Sequence, residues 1–473
     1  MTDETDLGRM TIANLGDLIQ ERKVSPVEVV QATLDRIDRL NGGLNAFISV
    51  YPDLAMEAAR KAESEITSGN SRGPLHGVPL GIKDLFEVEG MTRTCGSNIM
   101  QEPPAEKDAT SVARLKDAGA IVVGLLNLNE FAYGATGINI HKGSARNPWD
   151  RESACGGSSA GSGCSVAAQL VPGAMGTDTG GSVRLPAAIC GVVGLKQTFG
   201  LASRQGIYPL CNSFDHPGPL TRTVRDTALM LQAFAGEDPL DPTTRVARTD
   251  DYSRYLGKTA KGLKVGVPKA VFFDDLHPDV EKLVRAAIQV FADLGADVRE
   301  VDLPFAQSDI DNWNTMALAE AFVVHEGHMA TNAQDLAPEV SSRLELGRNI
   351  SARDYLNARD HQMELQRKFA AFMEDFDVLA MPTAPIPAVS IKTGSVDVNG
   401  KQVEGAPIMG RLTRMAVFTG QPAISVPCGF TETGLPVGLQ LVGHWFGEAA
   451  LLGAADAYEQ ATLWHTMLPP DID

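Results

Sequence analysis

Cysteine is scarce in this sequence: six among 473 residues, at 95, 155, 164, 190, 211 and 428, with no CxxC pair. A chain this long with scattered thiols is not a disulfide scaffold. Reduced, mostly buried cysteines make the cytoplasm the expected compartment. Long apolar runs are missing as well, so no segment has the length to cross a bilayer and no membrane partner is expected. The opening residues, MTDETDLGRM, are acidic and polar and read as neither a secretory signal nor a transit peptide. Excess positive charge is also absent: 41 basic against 59 acidic residues give a net charge of −18. That field discourages direct binding to nucleic acid and favours solubility. Signatures of metal or nucleotide chemistry fail too. His325-Glu326-Gly327-His328 is one residue short of HExxH with no third ligand near, so no metal is expected. No GxxxxGK[ST] occurs, no GxGxxG opens a helix after a strand, and the lone Lys196 does not make a P-loop. There is no internal repeat, low-complexity tail or clear interdomain linker.

What the chain does have is a glycine- and serine-rich stretch over 156–196, GGSSAGSGCSVAAQLVPGAMGTDTGGSVRLPAAICGVVGLK. Such composition alone describes a flexible linker. Here Val166, Leu170, Val171, Met175, Val183, Leu185, Ile189 and Val192 interrupt it regularly, which argues for a packed element. Its core is Thr177-Asp178-Thr179-Gly180-Gly181-Ser182-Val183-Arg184. Two glycines before a serine let successive N–H groups turn toward one point beside the hydroxyl, the arrangement an acyl-transfer nucleophile needs. Asp178 and Arg184 bracket Ser182 with opposite charges and read as a buried ion pair that fixes the loop.

A serine hydroxyl needs a base. His216 is the nearest histidine in sequence, and a Ser-His-Asp reading built on it stays open on the residues alone. Lys83 is the second candidate, closing the apolar run Val78-Pro79-Leu80-Gly81-Ile82 as a buried strand would. Burial disfavours the ammonium form, so a lysine there can be neutral near pH 7 and accept a proton. Ser158 or Ser159 would relay it.

Lys83, the GGSS at 156–159 and the GTDTGGS at 176–182 together resemble the amidase signature family of serine hydrolases. Further family-like blocks include Leu75–Asp84, Gly124–Gly134, Gly143–Trp149, Ser213–Arg222 and Gly420–Gly443. One departure is Ala160, where the family usually has glycine. The resemblance implies a Ser-cisSer-Lys triad: Ser182 as nucleophile, Ser158 as bridging serine after a cis peptide from Gly157, and Lys83 as base. It implies an oxyanion hole from the N–H groups of Thr179, Gly180, Gly181 and Ser182. It also implies an acyl pocket along the backbone of Ala132, Tyr133 and Gly134, with no cofactor. His216 then becomes a structural hydrogen-bonder. Phe131, Tyr133, Trp313 and Met316 are candidates for pocket walls, with core packing an equal reading.

Segment patterning predicts an α/β fold, a large mixed and mostly parallel twisted sheet covered by helices on both faces. Ser25-Pro26-Val27-Glu28 reads as a capping box opening a helix, and a second helix is expected over Leu54–Ile66 with Asp53 as its cap. Helix–glycine–strand units are expected at 110–126 and 278–303. Further strands are expected at 263–267, 378–381, 423–427 and 437–442, and a last helix at Ala449–Glu459. Glu237–Lys261 reads as a surface connection and Asn312–Met373 as a helical insertion near the substrate pocket. One amidase domain over 1–473 is expected, with its signature core at about 70–230, the insertion at about 305–375 and the C-terminal part at about 376–473 returning to the core.

By resemblance, the substrate is a small amide, hydrazide, urea or carbamate, hydrolysed to acid and amine. The alternative is the related A subunit of glutamyl-tRNA amidotransferase, which takes ammonia from glutamine within a complex. That relative usually carries an acidic residue before the block matching GQPAISVPCG, and Gly410–Ala416 holds none. Its paired arginines before a glycine-threonine are not evident either. A homodimer is the base-rate expectation for assembly.

Overall fold

The computed structural model describes residues 7–100, 102–470 and 472; the first six residues, MTDETD, lie outside them. Local signals act as expected at many helix ends. Ser25 Oγ accepts from the Glu28 N–H at 3.1 Å while Glu28 Oε2 accepts from the Ser25 N–H at 2.8 Å. The helix they open, Pro26–Leu44, buries Val29, Val30, Leu34, Ile37 and Leu40 along one face. The next helix, Pro52–Thr67, begins earlier than predicted. Pro52 occupies its first turn, where a missing N–H costs nothing, and Asp53 lies inside the helix rather than capping it. At Gly119 (φ +92°) the chain leaves a helix over Thr110–Asp117, and an added Cβ there would meet His76 at 2.5 Å.

The strands in chain order are β1 (Phe47–Val50), β2 (Pro79–Lys83), β3 (Ile121–Leu126), β4 (Arg146–Asn147), β5 (Asp150–Ala154), β6 (Gly173–Asp178), β7 (Val193–Lys196) and β8 (His216–Thr221). They continue as β9 (Lys264–Pro268), β10 (Asp297–Val301), β11 (Val378–Pro382), β12 (Ser395–Val398), β13 (Lys401–Glu404), β14 (Ala423–Phe430) and β15 (Pro436–Val442). Eleven of them form one sheet in the order β1-β3-β2-β6-β8-β7-β14-β15-β11-β9-β10; β4-β5 and β12-β13 are separate ribbons.

The sheet is mixed, as expected, but it is not mostly parallel. Only β3-β2, β2-β6, β11-β9 and β9-β10 run parallel, on the two flanks. The middle, from β6 through β8, β7, β14 and β15 to β11, is antiparallel throughout, as is the β1-β3 edge. Alternating helices and strands predict elements, not their directions, and a short turn such as Thr431–Leu435 between β14 and β15 reverses the chain without a crossover helix.

Every residue of β2, β3, β6, β7, β8, β11 and β15 is buried, including the polar side chains that end β2, β6 and β7. Three helices, Gln307–Thr331, Pro338–Gly347 and Ala352–Met373, make the expected excursion. The stretch 237–261 runs mostly exposed, as expected of a surface connection. It is pinned to the body where it dips inward: buried Asp238 accepts from Thr110 Oγ1 (2.7 Å) and Ser203 Oγ (2.5 Å), and Asp241 pairs with Arg204 at 3.2 Å.

Candidate active site

β2 runs parallel beside β6, and both deliver polar side chains at their C-terminal ends, Lys83 and Thr177. Lys83 is fully buried and its Nζ donates to Ser158 Oγ at 2.8 Å and to Thr177 Oγ1 at 2.7 Å. Burial destabilises the ammonium and outweighs the pull of Asp178 and Asp215, lowering the lysine to about 7. Near neutral pH this side chain holds and releases a proton readily. Ser158 sits after the cis Gly157–Ser158 peptide, at the start of the helix Ala160–Ala167. A Cβ at Gly157 would lie 2.1 Å from Asn129 Oδ1, so the backbone could not come this close with any other residue.

The loop after β6 is held from behind. Asp178 and Arg184 are both fully buried and form a two-point pair, Nε to Oδ2 at 3.0 Å and Nη2 to Oδ1 at 2.9 Å. Burial alone would raise the Asp178 carboxyl, but the Arg184 guanidinium wins and holds it at about 2. Arg184 also donates to Gln440 Oε1 at 2.6 Å and to the Thr413 carbonyl at 2.9 Å, tying the loop to the C-terminal part of the chain. Gly181 adopts φ +130°, and an added Cβ would meet Thr413 Oγ1 at 2.2 Å. Its N–H donates to Asp178 Oδ1 at 2.8 Å. Gly181 is thus a backbone hinge on the carboxylate rather than a free oxyanion donor, which corrects the expectation that all four N–H groups serve the hole.

Ser182 is partly exposed, and its carbonyl accepts from the Ser159 N–H at 3.3 Å, joining the two serine segments. Two residues that sequence reasoning did not single out complete the centre. One is Thr177, the second partner of Lys83. The other is Asp215, which accepts from Thr179 Oγ1 at 2.6 Å and from the Leu210 and Cys211 N–H groups at 2.9 and 3.0 Å. The one available signal was a polar side chain inside or beside a wholly buried strand. His216 has no bond to Ser182. Its Nδ1 lies 2.6 Å from the Phe214 carbonyl and 3.1 Å from that of Asp178, and its Nε2 lies 3.3 Å from Lys196 Nζ. Burial, and Lys196 beside it, keep it well below its ordinary pKa. The Ser-His-Asp reading therefore falls.

Two cavities lie side by side here, and the smaller reaches Ser182. One, about 440 Å³, is walled by Thr177, Thr179, Asp215 and His216 together with Arg93 and Arg204. The other is compact, about 60 Å³, and is lined by Ser182, Thr179, Gly180, Ala132, Tyr133 and Gly134, with Trp313 and Arg343 from the helical excursion and Arg414 from the C-terminal part. Ala132 and Thr179 border both. Tyr133 and Trp313 thus line the pocket, whereas Phe131 and Met316 do not. Phe131 is fully buried against Tyr208, His325 and His328, and Met316 belongs to the core around Phe369.

A wide mixed sheet with a buried hydroxyl–lysine centre beside a pinned serine loop is the architecture of an acyl-transfer enzyme. A family model described as Amidase matches residues 28–452, and the chain belongs to that family, whose members act on carbon–nitrogen bonds. It is 40% identical to the A subunit of glutamyl-tRNA(Gln) amidotransferase from Geobacter sp. (strain M21), over 98% of this chain and 99% of the relative. Among solved structures, one from a vestigial protein complex bearing on the origins of an s-triazine catabolic enzyme superposes with a TM-score of 0.91 at 36% identity, covering 95% of this chain and 98% of that one. A bacterial aryl acylamidase superposes with a TM-score of 0.87 at 27% identity, covering 97% and 98%. No helix of the described residues is long and apolar enough to cross a membrane.

Proposed function

We propose that this chain is a stand-alone amidase that hydrolyses a small carboxylic amide through an acyl-enzyme on Ser182. The observation that carries the reading is Lys83: a fully buried lysine, lowered to about 7 and bonded to Ser158 at 2.8 Å. Neutral Lys83 takes the Ser158 proton as Ser158 takes that of Ser182, whose oxygen attacks the amide carbon. The N–H groups of Thr179, Gly180 and Ser182 receive the oxyanion. The C–N bond breaks as the proton returns through Ser158 to the leaving nitrogen, and the amine departs. Water then repeats the path, giving the acid and free Ser182. The whole chain acts as one amidase unit with no cofactor in this scheme, and six buried free thiols suit a reducing, cytoplasmic setting.

Relatives named as part of an amidotransferase favour a second reading, a glutaminase that works only in a complex. Against it, no carboxylate lies in Gly410–Ala416 or in the lining of the cavity beside Ser182 to hold an α-ammonium group. The test is product analysis by mass spectrometry with the purified chain, wild type against Ser182→Ala, on alkyl and aryl amides, carbamates and glutamine. Turnover of non-glutamine amides that is lost in the variant is expected. Glutamine as the sole substrate, or turnover only with added partner chains, would move the chain to the second reading.

A further inference from the structure

The arginines around the two cavities are treated differently by the fold. On the larger side Arg204 is paired with Asp241 at 3.2 Å and Arg93 with Glu102 at 2.7 Å. On the Ser182 side the Arg414 side chain has no hydrogen bond or ion pair to any described residue, and Arg343 has a loose contact with exposed Glu339 at 4.0 Å and an electrostatic one with Tyr133. Each lies over an aromatic ring: Arg414 at 4.7 Å from Trp313 and Arg343 at 4.2 Å from Tyr133. Stacking leaves the in-plane N–H donors of a guanidinium free to bind. The indole N–H of Trp313 is buried without an acceptor. Two cations and two aromatic rings, with no acid in the lining, thus surround the same small space as the nucleophile.

This arrangement is costly without a ligand. Burial and the neighbouring Arg343 lower Arg414 to about 10, against a weak opposing pull from Tyr133 and Asp311. A chain of net charge −18 would readily supply a carboxylate if pairing were the purpose. Instead the segment bearing Arg414 is braced toward the site, for Thr413 Oγ1 donates to the Gly180 carbonyl at 2.5 Å. An anion between the guanidinia would relieve their repulsion and fill vacant donors, and charge-assisted bonds of this kind are the strong ones.

We infer that the substrate carries a carboxylate, which Arg343 and Arg414 hold beside Ser182, and that it lacks an α-ammonium group. The class is the monoamide of a short dicarboxylic acid, because Ser182 and both guanidinia line the same compact cavity. The inference builds on the amide-hydrolase reading but predicts binding independently of turnover.

The test has two arms. In the first, kcat/KM is measured for succinamate and glutaramate, for neutral butyramide and for glutamine. The acidic monoamides are expected to exceed butyramide by about 100-fold, because charge-assisted bonds to two guanidinia are made only with them. Glutamine should trail glutaramate by at least about tenfold, since its ammonium meets two cations and no acid. Arg414→Gln should lower kcat/KM for the acidic monoamides far more than for butyramide, so that most of the preference for the acid is lost, and Arg414→Lys should recover part of it. In the second arm, succinate and glutarate are titrated calorimetrically into Ser182→Ala, with binding expected and lost on adding Arg414→Gln. Equal or better turnover of butyramide, glutamine equal to glutaramate, or no dicarboxylate binding would each overturn the assignment. Binding in the second arm without turnover of any amide in the first would uphold the anion site and remove the hydrolase reading instead.

Discussion

Lys83 and Lys196 make an instructive pair. Both are fully buried, both are lowered to about 7 chiefly by desolvation, and Asp178 pulls on each in the opposite direction. Yet their neighbours differ. Lys83 Nζ reaches two hydroxyls, one of them on the serine segment joined to Ser182. Lys196, at the end of β7, donates to the Gln197 carbonyl at 3.0 Å and lies 3.3 Å from His216 Nε2, while Arg184 adds to its displacement. The Gln197 carbonyl cannot pass on a proton and His216 has no bond to Ser182, whereas the Ser158 hydroxyl can carry one toward the serine loop. A displaced pKa therefore marks burial, and only the partner atoms mark a base.

The comparison breaks most sharply in activity. Lys83→Met should lower kcat/KM by about 10⁴-fold, the upper range for loss of a general base, while Lys196→Met stays within about tenfold of wild type. Steady-state kinetics on the two variants decide it, and equal losses would erase the distinction drawn here. Next in size is the carboxylate both lysines share. Asp178→Asn leaves Arg184 charged and buried with half its partners weakened, and should cost about 3 kcal/mol or more in denaturant unfolding.

The third prediction concerns pH and stability. Each lysine is held near 7 in the fold against an ordinary 10.5, so between those values the unfolded chain binds more protons. Stability from these groups therefore rises with pH across that window, by up to about 1.4 kcal/mol per pH unit for each lysine. Each single Met variant should remove one lysine's share of the slope, measured as unfolding midpoints across pH 7–10. The smallest effect separates the two in catalysis. Wild-type kcat/KM should rise with pH through an inflection near 7, as Lys83 loses its proton, and Lys196→Met should keep that inflection unchanged. An inflection that moves with Lys196 would assign the titration to the wrong lysine.

Much of this site was legible before any fold was known. The spacing of Lys83, Ser158 and Ser182 and the run of glycines before Ser182 are properties of the chain itself, because only small residues allow such close backbone approach. The capping box at Ser25–Glu28 and the glycine stop at 119 are equally local, and the structure carries both. Other features were not legible, for want of long-range information. Strand direction across the middle of the sheet depends on which strands become neighbours, and β14 and β15 arrive there from more than 200 residues beyond β7. Gly181 looked like an oxyanion donor until Asp178 was seen to take its N–H. Phe131 and Met316 looked as suited to a pocket wall as Tyr133 and Trp313, since an apolar side chain does not itself say which face it will present.

By itself, then, the sequence determined the chemical groups, their order and the backbone freedom around them, because these follow from side-chain type and local sterics. The tertiary structure decided which of two buried lysines meets a hydroxyl. It also decided which carboxylate holds the serine loop, and that Arg343 and Arg414, 71 residues apart in the chain, face one cavity with no acid between them. Those are choices of neighbour, and neighbours distant in sequence are set by how the helical excursion and the C-terminal strands pack back onto the sheet.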